Sequence, residues 1–90
     1  MPDAAPHIEV LGFDCGACRK THRLLVAAAE RLGVPARIDK VSDPARIAAL
    51  GALRVPGVAV NGRLVSQGGV PDARSIAAWL ATSPNAGAGS

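Results

Sequence analysis

The first third of the chain passes from an alternating to a helical pattern of apolar residues. Residues 7–11 read H-I-E-V-L, a short apolar run that predicts a β-strand ending at Gly12. Residues 16–32 carry small and apolar residues at helical spacing and predict an amphipathic helix. Its predicted buried face comprises Cys18, Thr21, Leu24, Leu25, Ala28 and Leu32. Gly33 is a typical helix stop.

The middle of the chain predicts a second strand and a short helix. Residues 35–41 read P-A-R-I-D-K-V and alternate well enough for a strand. Ser42-Asp43-Pro44 then places a capping residue directly before a proline at the first helical position, which predicts a helix that ends at Gly51.

The last third predicts a hairpin followed by a helix. After Val55-Pro56, residues 58–65 read V-A-V-N-G-R-L-V, and Asn-Gly between two β-rich runs is a strong hairpin signal. Pro71 and Asp72 open a final helix, with Ile76 and Leu80 on its apolar face. The order is therefore β-α-β-α-β-β-α. A parallel first βαβ unit and an antiparallel hairpin predict an α/β fold with a mixed four-stranded sheet and helices on both faces.

Composition limits the number of domains and the function classes. Ninety residues fit one domain, predicted to span 7–81, with a flexible tail over the small, polar residues 82–90. The net charge of +3 is spread along the chain and the aromatic content is 2%. Because nucleic-acid binding by stacking needs basic residues interleaved with aromatics, we expect no nucleic-acid partner. The sequence shows no secretion signal and no membrane span, so we expect a cytoplasmic protein without a membrane partner.

The two cysteines, Cys15 and Cys18, are the strongest chemical signal. Residues three apart at a helix start have Cβ atoms about 5–6 Å apart, close enough for a disulfide to open and close. The helix N-terminus favours a thiolate, and Arg19 and Lys20 add positive charge. Cys18 shares the buried face of the helix, whereas Cys15 lies at its tip. The spacing thus predicts an attacking Cys15 and a buried, resolving Cys18.

Three other interpretations of the cysteine pair stay open. Both thiolates could clamp a soft metal, Cu(I) or zinc, although zinc takes four ligands and one chain does not obviously supply them. Heavy-metal-associated domains also carry C-x-x-C between a first strand and a first helix, but in a βαββαβ order. The pair could also be buried without chemistry, or report redox state to a partner protein.

Several motifs in combination resemble the thioredoxin-fold superfamily, in particular its small glutaredoxin-like, redox-active disulfide proteins. They are C-G-A-C after the first strand, V-P at 55–56, V-A-V-N-G at 58–62 and G-G-V-P-D at 68–72. The resemblance covers about residues 7–81. It implies a thioredoxin-like fold of glutaredoxin size and a thiol–disulfide oxidoreductase, with Cys15 attacking and Cys18 resolving.

The resemblance also implies a substrate-binding set and the partners of the reaction. Pro56 matches the family's cis-proline, and the backbone of Val55 would bind a peptide or glutathione. Gly68, Gly69 and Asp72 resemble the glutaredoxin turn that holds glutathione. The expected substrate is a protein disulfide or glutathione, and the expected electron donor is a reductase or glutathione. No bound cofactor and no metal site are expected, with glutathione as the candidate co-substrate.

The remaining polar and aromatic residues have simpler interpretations. Glu9 is a candidate acceptor for the proton of Cys18, unless Arg37 or Asp39 neutralises it. Trp79 is expected to pack on a helix face, and Phe13 to be either a core anchor or part of the substrate rim. Three cations are interpreted as solvated charges: Lys40, Arg46 and Arg63.

Overall fold

The computed structural model describes residues 5–13 and 15–81, and the predicted tail over 82–90 lies outside these ranges. The elements follow the predicted order: β1 His7–Leu11, α1 Gly16–Leu32, β2 Arg37–Val41, α2 Pro44–Ala49, β3 Gly57–Val60, β4 Arg63–Gln67 and α3 Ala73–Ala81. β2 begins two residues later than predicted, because Pro35 has no N–H group for a strand ladder. Among the described helices, none is long and apolar enough to cross a membrane.

The four strands form one mixed sheet in the order β2-β1-β3-β4. β1 pairs with β2 in parallel and with β3 antiparallel, and β3 pairs with β4 antiparallel. The predicted α/β thioredoxin-like architecture is therefore confirmed. β1 is an inner strand, so its C-terminal end at Gly12 leads the chain from the middle of the sheet into the cysteine loop.

Helices cover both faces of this sheet, as predicted. Alternate residues of β1 and β3 pack with α1 and α3 in one core cluster, whose fully buried members are Ile8, Val10, Leu25 and Val58. Trp79 packs against this cluster, as predicted. A smaller cluster on the other face joins the sheet to α2 and contains Leu11, Ile47 and Ala52.

The ends of the helices follow the capping chemistry that the sequence carries. Asp43 accepts a hydrogen bond from the Ala45 N–H at 3.1 Å, and Gly33 with φ 68° ends α1 in the left-handed region. Three details of the predicted helices are wrong. Leu24, which was placed on the buried face of α1, is 36% exposed. α2 ends at Ala49, before Gly51. Leu32 is 48% exposed, because it lies in the last turn of α1, beyond the buried part of the helix face.

Candidate functional site

Cys15 and Cys18 lie at the start of α1, where the sequence predicted them. Cys15 is the N-cap residue, with φ −81° and ψ 168°, and its Sγ accepts a hydrogen bond from the Cys18 N–H at 3.3 Å. The Cys15 carbonyl accepts the first helical bond, from Arg19 N–H at 2.9 Å. The first N–H groups of a helix lack intrahelical partners, so the Cys15 sulfur takes the place of the usual capping oxygen.

The two sulfurs face each other but are differently accessible. Their Sγ atoms lie 2.7 Å apart, and both cysteines are free thiols. Cys15 is exposed, whereas Cys18 retains only 3% of its accessible surface. One thiol can therefore meet a large partner from solvent, while the other is reached through the first.

This arrangement moves the two thiol pKa values in opposite directions. The pKa of Cys15 is lowered, first by the hydrogen bond from the Cys18 side chain and then by the Cys18 backbone N–H. The pKa of Cys18 is raised, first by burial and then by its bond to Cys15. The predicted contribution of the helix start is present as the Cys18 backbone N–H, whereas the largest cause is the Cys18 side chain and no nearby cation is among the causes. Cys15 is thus the thiol that ionises first.

Gly12 is a site residue that the sequence reading treated only as a strand terminator. A Cβ atom on Gly12 would overlap Cys18 Sγ and would lie 3.2 Å from Cys18 Cβ. The chain therefore passes so close to the buried thiol that only glycine fits without a shift. The sequence signal that could have identified Gly12 as a site residue is its position directly between the strand and the C-x-x-C loop.

Val55 and Pro56 lie in the loop between α2 and β3, and Val55 approaches Gly12. A Cβ atom on Gly12 would lie 3.7 Å from Val55 Cβ, so Val55 borders the same small space as Cys18. The Val55–Pro56 peptide bond is cis, as the resemblance implied. The Pro56 carbonyl accepts a hydrogen bond from Gly68 N–H at 2.9 Å, which ties this loop to the end of β4.

Gly68, Gly69 and Asp72 occupy the connection from β4 to α3. Gly68 has φ 88°, and a Cβ there would lie 3.1 Å from Arg54 Cδ. Asp72 Oδ1 accepts the Ser75 N–H at 2.8 Å, which lowers the pKa of this carboxyl group. Asp72 therefore caps α3, and its described hydrogen bonds go to that helix. The predicted role of these three residues in holding glutathione stays a prediction.

A pocket of about 310 Å³ lies beside the buried thiol. Its walls are Val10, Gly12, Cys18, Lys40 and Ser42. Val10 and Lys40 are partners in the parallel β1–β2 register, so both side chains leave the same face of the sheet. Lys40 was interpreted as a solvated charge, but it borders a pocket that reaches Cys18.

Glu9 does not have the environment predicted for a proton acceptor of Cys18. It is 5% exposed, and both carboxylate oxygens accept hydrogen bonds from the Arg46 guanidinium, at 3.1 and 2.9 Å. Because successive residues of a strand point to opposite faces, Glu9 faces α2, whereas Val10 faces the pocket beside Cys18. Arg46 is exposed, as expected for a solvated charge, but it is also the partner of a buried carboxylate, a role that the sequence assigned to Arg37 or Asp39.

The metal interpretation finds two ligands in the described part of the chain. No group of three or more histidine, cysteine, aspartate or glutamate side chains that could hold a metal ion occurs among the described residues. The two cysteine thiolates remain a candidate pair for a soft, low-coordinate metal such as Cu(I).

Comparisons with known proteins agree with this geometry. Residues 6–81 match a family model described as a thioredoxin domain. A protein named thioredoxin from Methanocaldococcus jannaschii is 35% identical over 69 residues, which cover 77% of this chain and 79% of that protein. A protein named thioredoxin from Methanothermobacter thermautotrophicus is 29% identical over 69 residues, covering 77% and 90% respectively.

Proposed function

Because the chain belongs to the thioredoxin domain family, which supports a redox-related role, we propose that it is a thiol–disulfide oxidoreductase acting through Cys15 and Cys18. The observation that carries the proposal is the pair of sulfurs 2.7 Å apart, one exposed and one 3% exposed. Unequal burial gives the two thiols different tasks, which a symmetric metal clamp does not need.

The first chemical step belongs to Cys15. Its lowered pKa increases the fraction of thiolate, which is the reactive form in disulfide exchange. The Cys15 thiolate attacks one sulfur of a substrate disulfide, a new S–S bond joins Cys15 to the substrate, and the other substrate sulfur leaves as a thiolate that takes up a proton. Exposure of Cys15 allows this attack to occur on a disulfide held in another protein.

The second step belongs to Cys18. It loses its proton and attacks Cys15 Sγ, which forms the Cys15–Cys18 disulfide and releases the second substrate thiolate. Two electrons have then passed from the protein to the substrate, and a donor dithiol returns them by the reverse steps. The raised pKa of Cys18 keeps this thiol protonated until the mixed disulfide has formed. Both sulfurs lie close enough for this step to need little movement.

A protein disulfide is the substrate that the site supports best. Phe13, two residues before Cys15, is 57% exposed, which favours its interpretation as part of a substrate rim. Leu53 is 90% exposed and Val55 36%, on the loop that borders the dithiol. Apolar side chains of this kind suit contact with a polypeptide.

We propose a reductase as the electron donor, in the cytoplasm, with glutathione as the alternative donor. No organic cofactor is required, because the two sulfurs carry both electrons.

The test combines a redox titration with trapping. Equilibration in dithiothreitol and glutathione buffers, read by thiol alkylation, is expected to give a reversible two-electron couple between about −300 and −120 mV. Cys18→Ser is expected to accumulate a mixed disulfide with insulin, because the Cys15 thiolate attacks one of the intact insulin disulfides and Cys18 cannot then release the substrate, whereas Cys15→Ser accumulates none. Equal trapping by both variants would mean that the assigned roles are wrong. Absence of a reversible couple, with copper or zinc bound to the purified protein, would favour the metal carrier instead.

A further inference from the structure

Gln67, the last residue of β4, holds the loop that precedes β3. Its side-chain Oε1 accepts two hydrogen bonds from consecutive backbone groups, the Leu53 N–H at 2.7 Å and the Arg54 N–H at 3.1 Å. These donors lie 14 and 13 residues earlier in the chain and belong to no helix or strand. One amide oxygen thus supplies the hydrogen bonds that regular secondary structure does not offer to this segment.

The neighbouring residue, Gly68, holds the same loop at its other end. Its N–H donates to the Pro56 carbonyl at 2.9 Å. The conformation of Gly68, with φ 88° and no Cβ, also leaves room for the Arg54 side chain, whose Cδ would lie 3.1 Å from a Cβ at this position. Two consecutive residues at the end of β4 therefore form hydrogen bonds with both ends of the segment 53–56.

Val55 lies between the two points of attachment. It is the loop residue that borders Gly12 and, through it, the space occupied by Cys18. The side chain and backbone of Val55 therefore shape the surface that a substrate contacts beside the exposed Cys15 thiol. Displacement of the loop would change this outline without altering the contact between the two sulfurs, which depends on the start of α1.

We propose that Gln67 is a positioning residue for substrate binding: by holding the backbone N–H groups of Leu53 and Arg54, it fixes Val55 against the dithiol. This inference rests on the proposed oxidoreductase function. It assigns Gln67 to the docking of the substrate disulfide and leaves the exchange chemistry to Cys15 and Cys18. Gln67 does not touch the reacting sulfurs in this scheme, and its effect passes through the loop.

Two substitutions separate the hydrogen bonds of Gln67 from its bulk. Gln67→Met has a similar length and no oxygen acceptor, whereas Gln67→Glu retains an acceptor oxygen at the same reach. Arg63→Gln is a control, since Arg63 is an exposed long side chain at the other end of β4. Each variant is assayed for reduction of insulin disulfides and for amide hydrogen exchange at Leu53 and Arg54.

The expected result is a selective loss of substrate affinity. In Gln67→Met, exchange at Leu53 and Arg54 accelerates and KM rises roughly fivefold or more, the effect of losing two exposed hydrogen bonds. We expect kcat to change less than twofold and the midpoint potential to stay at the wild-type value. In Gln67→Glu, both KM and the protection of the two amides from exchange stay near the wild-type values, and Arg63→Gln resembles the wild type. A purely structural role would not produce this separation of KM from kcat.

Three outcomes would overturn the proposal, and they are distinguishable. Unchanged exchange in Gln67→Met would mean that the two hydrogen bonds do not hold the loop. Faster exchange with an unchanged KM would mean that the loop is held but does not position substrate. A wild-type protein without reductase activity would remove the proposed function and this inference with it, and that result precedes the assay of any variant.

Discussion

The two ends of β1 each bring titratable side chains into short contact, with different consequences. Beyond the C-terminal end, Cys15 Sγ and Cys18 Sγ lie 2.7 Å apart. The N-terminal end of β1 lies about 13 Å from its C-terminal end, at a rise of ~3.3 Å per residue. There, His7 Nε2 and Asp39 Oδ2 lie 2.9 Å apart. Both contacts are compact, yet we assign chemistry only to the first.

The difference between the two ends is the symmetry of burial. At the cysteine end one partner is exposed and the other is 3% exposed, and the pKa values move apart. At the far end the side chains of His7 and Asp39 are 38% and 42% exposed, and Arg37 adds a second ion pair to Asp39 at 3.0 Å. Water, the His7 ring and the Arg37 guanidinium all contact the Asp39 carboxylate, so the cluster ties β1 to β2 and contains no pair of groups with unequal burial. Unequal burial thus gives the two members of a close pair different accessibility and different pKa values.

The largest effect is expected from breaking the close packing at the cysteine end. Gly12→Ala places a Cβ onto Cys18 Sγ, so the thiol or the strand must move. We expect a loss of about 1–3 kcal/mol in the free energy of unfolding, the usual cost of overpacking, together with a strong loss of reductase activity. Urea unfolding and insulin reduction measure the two effects.

Gly16→Ala is the control for this substitution. A Cβ on Gly16 meets nothing within 4 Å, and Gly16 lies in the first turn of α1. Its stability is expected to stay unchanged or to rise by up to about 1 kcal/mol, because alanine is the better helix residue. Equal stability of Gly12→Ala and Gly16→Ala would contradict the close approach at Cys18.

A smaller effect is expected from removing the donor that lowers the pKa of Cys15. Cys18→Ala deletes the side-chain hydrogen bond that is the leading cause of the shift, so the pKa of Cys15 should rise toward its ordinary value. Cys18→Ser retains a hydroxyl donor and should keep this pKa lower. The pH dependence of Cys15 alkylation by iodoacetamide measures both. If the two variants titrate at the same pH, the asymmetry does not arise from the contact between the sulfurs.

The smallest effect is expected at the far end of β1. Asp39 has a pKa below its ordinary value, first because of its hydrogen bond with His7 and then because of the charge of Arg37. Its contribution to stability is therefore present above the unfolded pKa, about 3.9, and is lost as the pH falls from there through the lower folded pKa. Asp39→Asn should cost about 1 kcal/mol or less at pH 7, since the pair is more than a third exposed.

Unfolding of wild type and Asp39→Asn by urea at pH 7 and in acid tests this expectation. The difference between them should shrink as the pH falls, and reductase activity at pH 7 should be the same for both. A stability difference independent of pH, or a loss of activity, would show that the two ends of β1 do not differ as argued.

Much of this molecule follows from local patterns. The order of the elements was predictable because Gly33, Asp43-Pro44 and Asn61-Gly62 act through their own backbone preferences, and these operate within a few residues. Cys15 and Cys18 were predictable as a pair because the helix start fixes their spacing. Asymmetry between them followed from the helical face that Cys18 shares with Leu25.

Contacts between distant segments were not predictable in the same way. The partner of Glu9 is Arg46, 37 residues later, and it was missed because the sequence does not show which face of β1 meets α2. Lys40 reaches the pocket beside Cys18 only through the β1–β2 register. Gln67 was missed because its two donors lie in a loop without periodicity.

The sequence by itself thus determined the elements, the fold class and the cysteine pair to which we assign the proposed chemistry, since each depends on neighbours along the chain. Only the tertiary structure decided how the pair is surrounded. It brought Gly12 against Cys18, Val55 against Gly12, and Gln67 against the loop that carries Val55. Burial and hydrogen bonding depend on segments that are far apart in sequence, and these two quantities set the difference between the two thiols.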